Sequence, residues 1–200
     1  MPIIVRHKRL LRCKSAIIKQ IIDSKGNFLE QTLIILKPDA VKRGLCGEIL
    51  SRFERSGLKI VGAKMLSPDY EQFFYHYESI SKMVSRRGKD AFDVTLAMMQ
   101  EGPVIAFVLE GISAVALVRK MVGDTEPQKA LPGTIRGDYA HMGFDYANKQ
   151  GIGVPNVIHA SGNIEEAELE ISHWFSNSEI FDYKTVHEEY TQAKRRQKNK

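Results

Sequence analysis

Four short apolar segments, separated by stretches with helical periodicity, constrain the fold of this chain more than any other feature. Each has the length and composition of a strand: 32–36, 58–66, 103–109 and 156–159. Apolar residues recur at helical spacing in the stretches 47–55, 69–100, 112–122 and 163–175, and the second stretch breaks near Arg86-Arg87-Gly88. We interpret the order as βαββαβ, an α+β ferredoxin-like fold with one antiparallel sheet and helices on one face.

Two regions fall outside this regular pattern. Residues 123–155 contain Gly and Pro and are predicted to form a long loop, a length that is usually functional or mobile in a compact domain. The first 30 residues read as an appendage. Within it, four isoleucines predict a short amphipathic helix that ends at 23–27: Ile17, Ile18, Ile21 and Ile22.

Charge divides the 200 residues into three parts. Residues 1–30 contain seven Lys/Arg and two acids, and residues 191–200 contain five Lys/Arg and no acid. The central part, 31–190, contains 17 Lys/Arg and 22 acids. We therefore predict a basic N-terminal extension, one mildly acidic domain over 31–190, and a basic C-terminal tail. Solvated ends are the favoured interpretation, and attraction to nucleic acid or an anionic membrane is the less favoured one.

The sequence also indicates a cellular compartment. No apolar run approaches the roughly 18 residues that a membrane span requires. The first residues carry charge within the apolar stretch and lack a small-residue cleavage pattern, which argues against a secretory signal. Cys13 and Cys46 are too few for a disulfide framework and lack metal-ligand spacing. We expect reduced thiols and a cytoplasmic protein.

The segment Asn156-Val157-Ile158-His159-Ala160-Ser161 is the strongest candidate for chemistry. It places His159 at the end of an apolar strand, beside small residues and just before a helix, with Glu170 eleven residues later. A histidine that accepts a phosphoryl group needs space around one ring nitrogen, a fixed ring and a nearby helix N-terminus that tolerates negative charge. The competing interpretation is a satisfied core histidine.

Six collinear motifs in residues 32–184 resemble the nucleoside diphosphate kinase family. They are TLIILKPDAVKRGL, HYESI, GPVIAFVLEG, VRKMVGDTEP, PGTIRGDY and NVIHAS. The resemblance implies an ATP-dependent ping-pong transfer, in which a nucleoside triphosphate phosphorylates a histidine and a nucleoside diphosphate then collects the phosphoryl group. It implies that His159 is the nucleophile, that Glu170 orients its ring and that Ser161 supports the arrangement.

The resemblance also implies the residues that bind the nucleotide. Arg119, Thr125 and Arg136 match positions that contact phosphate oxygens, and Arg suits this role through its planar fork of donors. Lys37 and Asn156 match positions on the ribose and phosphate side, and Tyr77 matches a phenol near the transferred phosphate. The partners are then ATP and other nucleoside di- and triphosphates, and a homo-oligomer is expected.

Base recognition is implied to be tolerant, because stacking on one aromatic face accepts any base. Phe92 is the expected platform, although its register stays open. Aligned backward from Gly102-Pro103, the stacking position falls on Ala91, and a shift of one residue brings it to Phe92. The alternative is that Phe92 is a core residue of the helix.

Magnesium is implied as the cofactor. No cluster of Asp, Glu and His has the spacing of a protein-held metal site. We therefore expect Mg²⁺ to be held mainly through the nucleotide phosphates and water, as this ion prefers.

Three departures from the family pattern keep an alternative open. The family usually reads H-G-S-D where this chain reads His159-Ala160-Ser161-Gly162. The stretch between Arg136 and Asn156 and the helical stretch after Tyr77 are longer than in the commonest members. These insertions bring Arg86, Arg87, Tyr139 and Tyr146 as further candidates near the ligand, and they put the usual hexamer in doubt.

Two other functions compete with an active kinase. One is a catalytically weakened member of the family that serves as a nucleotide-binding or regulatory module. The other is a basic nucleic-acid-binding protein, which the acidic central domain disfavours.

Overall fold

An antiparallel five-stranded sheet forms the centre of the molecule. The computed structural model describes residues 21–22 and 28–191. The strands are β1 (Ile21–Ile22), β2 (Phe28–Leu36), β3 (Lys59–Leu66), β4 (Val104–Ile112) and β5 (Ile158–Ala160). Strand β4 lies between β2 and β3, and both β1 and β5 pair with β2. The spatial order β5-β2-β4-β3 is that of the ferredoxin-like α+β fold, so the predicted fold class is confirmed.

Ten α-helices are described. They are α1 (Pro38–Lys42), α2 (Cys46–Arg55), α3 (Tyr70–Phe74), α4 (Met83–Arg87), α5 (Lys89–Met99), α6 (Ala114–Val122), α7 (Ile135–Tyr139), α8 (Phe144–Gln150), α9 (Ile164–Trp174) and α10 (Glu188–Thr191). A π-helical turn, Tyr75–Ile80, continues α3, and 3-10 turns cover Pro127–Lys129 and Asn177–Glu179. The predicted break near residues 86–88 is confirmed at Gly88, where φ is 87°.

Helices pack on both faces of the sheet, which corrects the expectation of helices on one face. Successive side chains of β2 point to opposite sides, because a strand has a period of two. Leu33 and Ile35 lie in one core with α3, α5 and α9. Ile34 and Leu36 lie in a second core with α2, α6 and α7. A four-residue apolar run without alternation, 33–36, is therefore the signature of a strand that is buried on both sides.

The N-terminal prediction is wrong where the structure describes it. Ile21 and Ile22 form the short strand β1 and not the end of a helix, and they pair with Leu29 and Phe28. The rest of the predicted helix and its predicted break at 23–27 lie outside the described residues. Strand β2 begins at Phe28, before the predicted start at residue 32, because its first residues pair with β1 and β4.

The predicted loop 123–155 contains two short helices, α7 and α8. Thr134 caps α7 through its side chain, which accepts a hydrogen bond from the Gly137 backbone N–H at 3.1 Å. Helices of five and seven residues are too short to show a clear 3.6-residue periodicity, so the sequence pattern did not reveal them.

Candidate active site

Strand β5 carries His159, with a side chain that is 16% exposed. Its Nε2 lies 3.0 and 3.1 Å from the two carboxylate oxygens of Glu170, which is fully buried on α9. The Ser161 hydroxyl donates to Glu170 Oε2 at 2.6 Å and accepts from the Leu33 backbone N–H at 3.2 Å. The structure therefore brings together the three residues that were predicted for catalysis.

The ionised state of Glu170 fixes the tautomer of His159. Burial by itself would raise the pKa of Glu170, but His159, His76 and Ser161 outweigh it and lower the pKa to about 2. An ionised carboxylate only accepts hydrogen bonds, so the proton lies on His159 Nε2. The lone pair of the ring is then on Nδ1, which forms no hydrogen bond with any residue in the described part of the chain.

The π-helical turn packs against the ring of His159. It carries His76, whose ring centroid lies 4.5 Å from that of His159 in an edge-to-face arrangement. Trp174 Nε1 donates to His76 Nδ1 at 3.2 Å, so the neutral His76 carries its proton on Nε2. Burial, and then the positive charge of a protonated His159, lower the pKa of His76 to about 3. Single π-turns are frequent at functional sites.

The corner between β2 and α1 meets the turn that precedes β5. Lys37 is buried and its Nζ donates to Asn156 Oδ1 at 2.7 Å. Burial, and then repulsion by Arg136, lower the pKa of Lys37 to about 7. The Asn156 amide donates in turn to the Thr125 carbonyl at 2.9 Å. Two predicted ribose-side residues and one predicted phosphate-side residue thus form one connected network.

Arg136 is buried and hydrogen bonded to the backbone, whereas the sequence predicted only a phosphate-binding residue on a long loop. It is 3% exposed, and its guanidinium donates to the carbonyls of Asn156 at 3.3 Å, Gly123 at 3.0 Å and Ile158 at 2.7 Å. Burial, and then repulsion by Arg119, lower its pKa to about 10, which leaves it charged at neutral pH. Arg119 lies exposed on α6. The charge of Arg136 therefore interacts with those of Lys37 and Arg119, and we call the region around these three cations and His159 the cleft. A group of cations of this kind suits the binding of a polyphosphate.

The two predicted aromatic residues have different outcomes. Tyr77 is buried beside the histidine, with ring centroids 6.4 Å apart, and its hydroxyl has no hydrogen-bond partner within 21–22 and 28–191. Phe92 is 3% exposed in the core, with its ring edge-to-face against Phe74 at 5.6 Å. A ring buried in this way offers no free face to a base. The prediction that Phe92 is the stacking platform is wrong, and the core interpretation is correct.

Comparison with known proteins agrees with this geometry. The nucleoside diphosphate kinase family model matches residues 30–180. The nucleoside diphosphate kinase of Pyrococcus furiosus is 50% identical over 78% of this chain and 89% of its own length. That of Borreliella burgdorferi is 46% identical over 78% of this chain and 93% of its own length.

The chain belongs to the nucleoside diphosphate kinase family. Its function is accordingly that of a nucleoside diphosphate kinase, a phosphotransferase of nucleotide metabolism.

Solved structures of the family share the fold closely. A transition-state mimic of the Borrelia burgdorferi nucleoside-diphosphate kinase with bound vanadate and ADP has a TM-score of 0.79, is 44% identical and covers 82% of this chain and 96% of that one. The Halobacterium salinarum kinase in complex with CDP has a TM-score of 0.70, is 36% identical and covers 82% of this chain and 99% of that one.

Glu166 occupies the space beside the glycine that replaces the usual Asp of the kinase motif. A Cβ atom at Gly162 would lie 2.6 Å from Glu166 Oε2. The same carboxylate accepts the Gly162 backbone N–H at 3.2 Å, and Asn163 caps α9 by accepting from Glu166 N at 2.8 Å. A side chain at position 162 therefore requires Glu166 to move. The replacement of the usual Asp by Gly162 is in this way coupled to the presence of Glu166.

Family membership implies a divalent cation that is used with the nucleotide. Over 21–22 and 28–191, the one candidate group of metal ligands is His76, His159 and Glu170. This set offers two imidazoles and one carboxylate that are already hydrogen bonded to one another or to Trp174, whereas Mg²⁺ prefers oxygen ligands. The side chains of this site therefore do not fit a magnesium ion that the kinase would hold by itself.

Sequence reasoning missed two residues that the structure places beside the candidate site. His76 precedes Tyr77 in the HYESI motif, which was the available signal. Asp39 accepts the Val157 backbone N–H through Oδ2 at 3.0 Å, and only the tertiary structure shows this contact.

Two further observations concern the rest of the molecule. No helix in the described ranges is long and apolar enough to cross a membrane. A cavity of about 210 Å³ lies at the opposite end of β2 from Lys37, lined by residues such as Leu29, Lys59 and Ile112. The chemistry described above lies elsewhere, on the side of His159.

Proposed function

We propose that His159 carries the phosphoryl group between a nucleoside triphosphate and a nucleoside diphosphate. In the first half-reaction, the Nδ1 lone pair forms a bond to the γ-phosphorus. The bond from that phosphorus to the β,γ-bridging oxygen breaks, and the nucleoside diphosphate leaves with the electron pair. The second half-reaction is the reverse, with a different diphosphate as acceptor.

One observation carries this proposal: Glu170 binds His159 Nε2 and thereby leaves Nδ1 as the free nucleophile. The ring gains positive charge when Nδ1 attacks phosphorus, and its Nε2 proton stays in the hydrogen bond to Glu170. The buried carboxylate stabilises that charge, in the way an orienting acid supports the histidine of other nucleophilic sites. Ser161 holds the carboxylate in place through its 2.6 Å hydrogen bond.

The remaining predicted residues are proposed to align the polyphosphate. Lys37 and Asn156 face the ribose and phosphates, and Arg119, Thr125 and Arg136 face phosphate oxygens. Tyr77 is proposed to contact the transferred group through its hydroxyl, which has no hydrogen-bond partner in the described part of the chain. Nucleoside di- and triphosphates are the proposed ligands, and the vanadate–ADP and CDP complexes of related kinases support this choice.

We propose Mg²⁺ as the divalent cation, held by phosphate oxygens of the nucleotide and by water. The poor fit of His76, His159 and Glu170 to an oxygen-seeking ion supports this arrangement.

We also propose a cytoplasmic homo-oligomer with one kinase domain over 31–190, flanked by a basic extension over 1–30 and a basic tail over 191–200. The free thiol of Cys46 supports a reducing compartment. Strongly exposed apolar side chains at Leu131, Phe181 and Val186 support further burial in an assembly.

The test is the intact mass of the protein after brief mixing with MgATP, with and without a GDP chase. We expect one acid-labile phosphoryl group on the wild type, discharged by GDP with formation of GTP. His159→Asn should accept none. His141→Asn is the matched control, because His141 is exposed on the loop before α8, and it should behave as the wild type.

Two results would overturn the proposal. Phosphorylation that persists in His159→Asn would place the nucleophile elsewhere. A wild type that binds ATP but forms neither the adduct nor GTP would indicate a nucleotide-binding module on a kinase fold.

A further inference from the structure

The two inserted segments of the chain meet above the cationic cleft. The Arg87 guanidinium on α4 lies 5.1 Å from the ring centroid of Phe144, the first residue of α8. The second insertion also packs against α5, where a Cβ atom at Gly153 would lie 2.8 Å from the Val94 carbonyl and 3.1 Å from Met98 Cβ. The absence of a side chain at Gly153 permits this close approach.

Phe144 is tied to the loop that carries Thr125. Its backbone N–H donates to Glu126 Oε1 at 2.9 Å, and Glu126 is buried. The neighbouring Thr125 carbonyl accepts the Asn156 amide. The ring that contacts Arg87 is therefore fixed relative to the proposed nucleotide-binding network.

Arg87 has no counterion among the residues of 21–22 and 28–191, although it lies near two other cations. Burial, followed by Arg136 for Lys37 and by Arg119 for Arg136, lowers the pKa of these two groups most, and the positive charge of Arg87 adds a smaller lowering to both. The adjacent Arg86 differs, because it lies 3.7 Å from Glu166 and donates to the Ser81 carbonyl at 3.2 Å. The carboxylates of Asp39 and Asp124 offset part of this charge, and the excess of positive charge that remains suits an anionic ligand.

The other residues that the insertions supply do not share this position. The Arg52 guanidinium lies over the ring of Tyr139, with its Cζ 5.7 Å from the ring centroid. Tyr146 is 57% exposed.

We propose that Arg87 binds the terminal phosphate of a nucleoside diphosphate at the mouth of the cleft, and that Phe144 positions it. A guanidinium stacked on an aromatic ring uses its face, and its in-plane N–H donors stay free for phosphate oxygens. This inference rests on the proposed function of the cleft, and it adds to that function a phosphate-binding residue from an insertion.

The test compares Arg87→Gln with Arg86→Gln by titration calorimetry with ADP and with AMP. We expect Arg87→Gln to weaken ADP binding about tenfold, as loss of one charge-assisted hydrogen bond does, and to leave AMP binding within about twofold. Arg86→Gln should match the wild type with both nucleotides. Unchanged ADP affinity in Arg87→Gln, or an equal loss for AMP, would overturn the proposal.

Phe144 is tested as a positioning residue by conservative rescue. Phe144→Leu should weaken ADP binding by a few-fold without affecting AMP, and Phe144→Tyr should restore it, because the tyrosine ring also stacks on a guanidinium. Equal losses in both variants would indicate a structural role only and would remove Phe144 from the proposal.

The assays separate this inference from the proposed function. Phosphorylation of His159 at saturating MgATP should survive in Arg87→Gln, since the nucleophile is untouched. If the wild type itself failed to form phosphohistidine, the proposed function would fail, and the ADP and AMP titrations would still decide the role of Arg87.

Discussion

Val157 shows how single residues hold the site. It has a φ of 58°, in the left-handed region that a β-branched residue rarely adopts and that costs on the order of 1–3 kcal/mol. Its N–H donates to Asp39 Oδ2, and its carbonyl accepts the Lys37 N–H at 2.9 Å. These two hydrogen bonds hold the turn at Val157, which lies between Asn156 and His159. The strain at Val157 is therefore tolerated at a position that orients both residues of the site.

Lys37 should make nucleotide binding sensitive to alkaline pH. Its pKa of about 7 means that the free protein loses this cation as the pH rises through neutrality, and a bound phosphate favours the charged form. We expect ADP binding to take up a proton and to weaken between pH 7 and 9, by at most about tenfold per pH unit. Calorimetry in two buffers of different ionisation enthalpy measures both effects.

Variants of two lysines decide this point. Lys37→Gln should bind ADP weakly with little pH dependence over that range. Lys42→Gln serves as the control, because Lys42 forms an exposed ion pair with Glu101, and its profile should follow that of the wild type. A pH profile that is unchanged in Lys37→Gln would contradict the assignment.

At the scale of elements, short irregular segments position the side chains that the regular elements cannot. The π-turn adds a residue to the helix after α3 and so turns His76 and Tyr77 together toward His159. The chain then reverses at Lys82, which has a φ of 49° and begins α4 without a side-chain cap. This turn delivers Arg87 to Phe144.

Lys82→Gly should stabilise the protein. Glycine removes the clash of a Cβ atom in the left-handed region, worth roughly 1–2 kcal/mol, and loses part of this gain to backbone entropy. We expect a net increase of about 0.5–1 kcal/mol in the free energy of unfolding. Urea denaturation measures it, and the denaturant slope should not change.

The neighbouring residue supplies the control for this change. Ser81 has a right-handed φ of −81°, so Ser81→Gly should be neutral or destabilising. A less stable Lys82→Gly would show that the lysine side chain contributes contacts that outweigh the strain.

The whole molecule depends on a polar centre buried between the sheet and α9. His76 and Glu170 are both fully buried there, next to the core that contains Trp174. Burying such groups is tolerated when they are hydrogen bonded, as His76 is to Trp174 and Glu170 is to His159 and Ser161. Their burial also makes the free energy of unfolding depend on pH.

Stability should fall as the pH decreases from 6.5. The folded pKa of His76, about 3, lies below its unfolded value, so between these values the unfolded chain binds a proton that the folded chain does not. The loss is at most about 1.4 kcal/mol per pH unit from this group. The lowered pKa of Glu170 acts in the same direction, although only below its unfolded value near 4.5.

Urea denaturation at pH 6.5, 5.8 and 5.2 isolates the histidine contribution. His76→Gln should have a flatter pH dependence than the wild type, whatever its stability at pH 7, because glutamine does not titrate. Equal slopes in the two proteins would assign the acid sensitivity to other groups.

The sequence alone determined the fold class and predicted the nucleophile that we propose. Strands and helices of this protein follow local hydrophobic periodicity, which is why the βαββαβ order could be predicted from short apolar segments. His159, Ser161 and Glu170 lie within twelve residues of one another, so one short stretch of sequence was enough to predict them together.

Only the tertiary structure decided features that depend on packing between distant segments. One residue of register rotates a helical side chain by about 100°, so the choice between a base platform and a core position for Phe92 needed the neighbours of α5. The hydrogen bond between His76 and Trp174 spans 98 positions of the chain. The contact of Arg87 with Phe144 joins two insertions, and no local pattern in either one specifies what the other places opposite it.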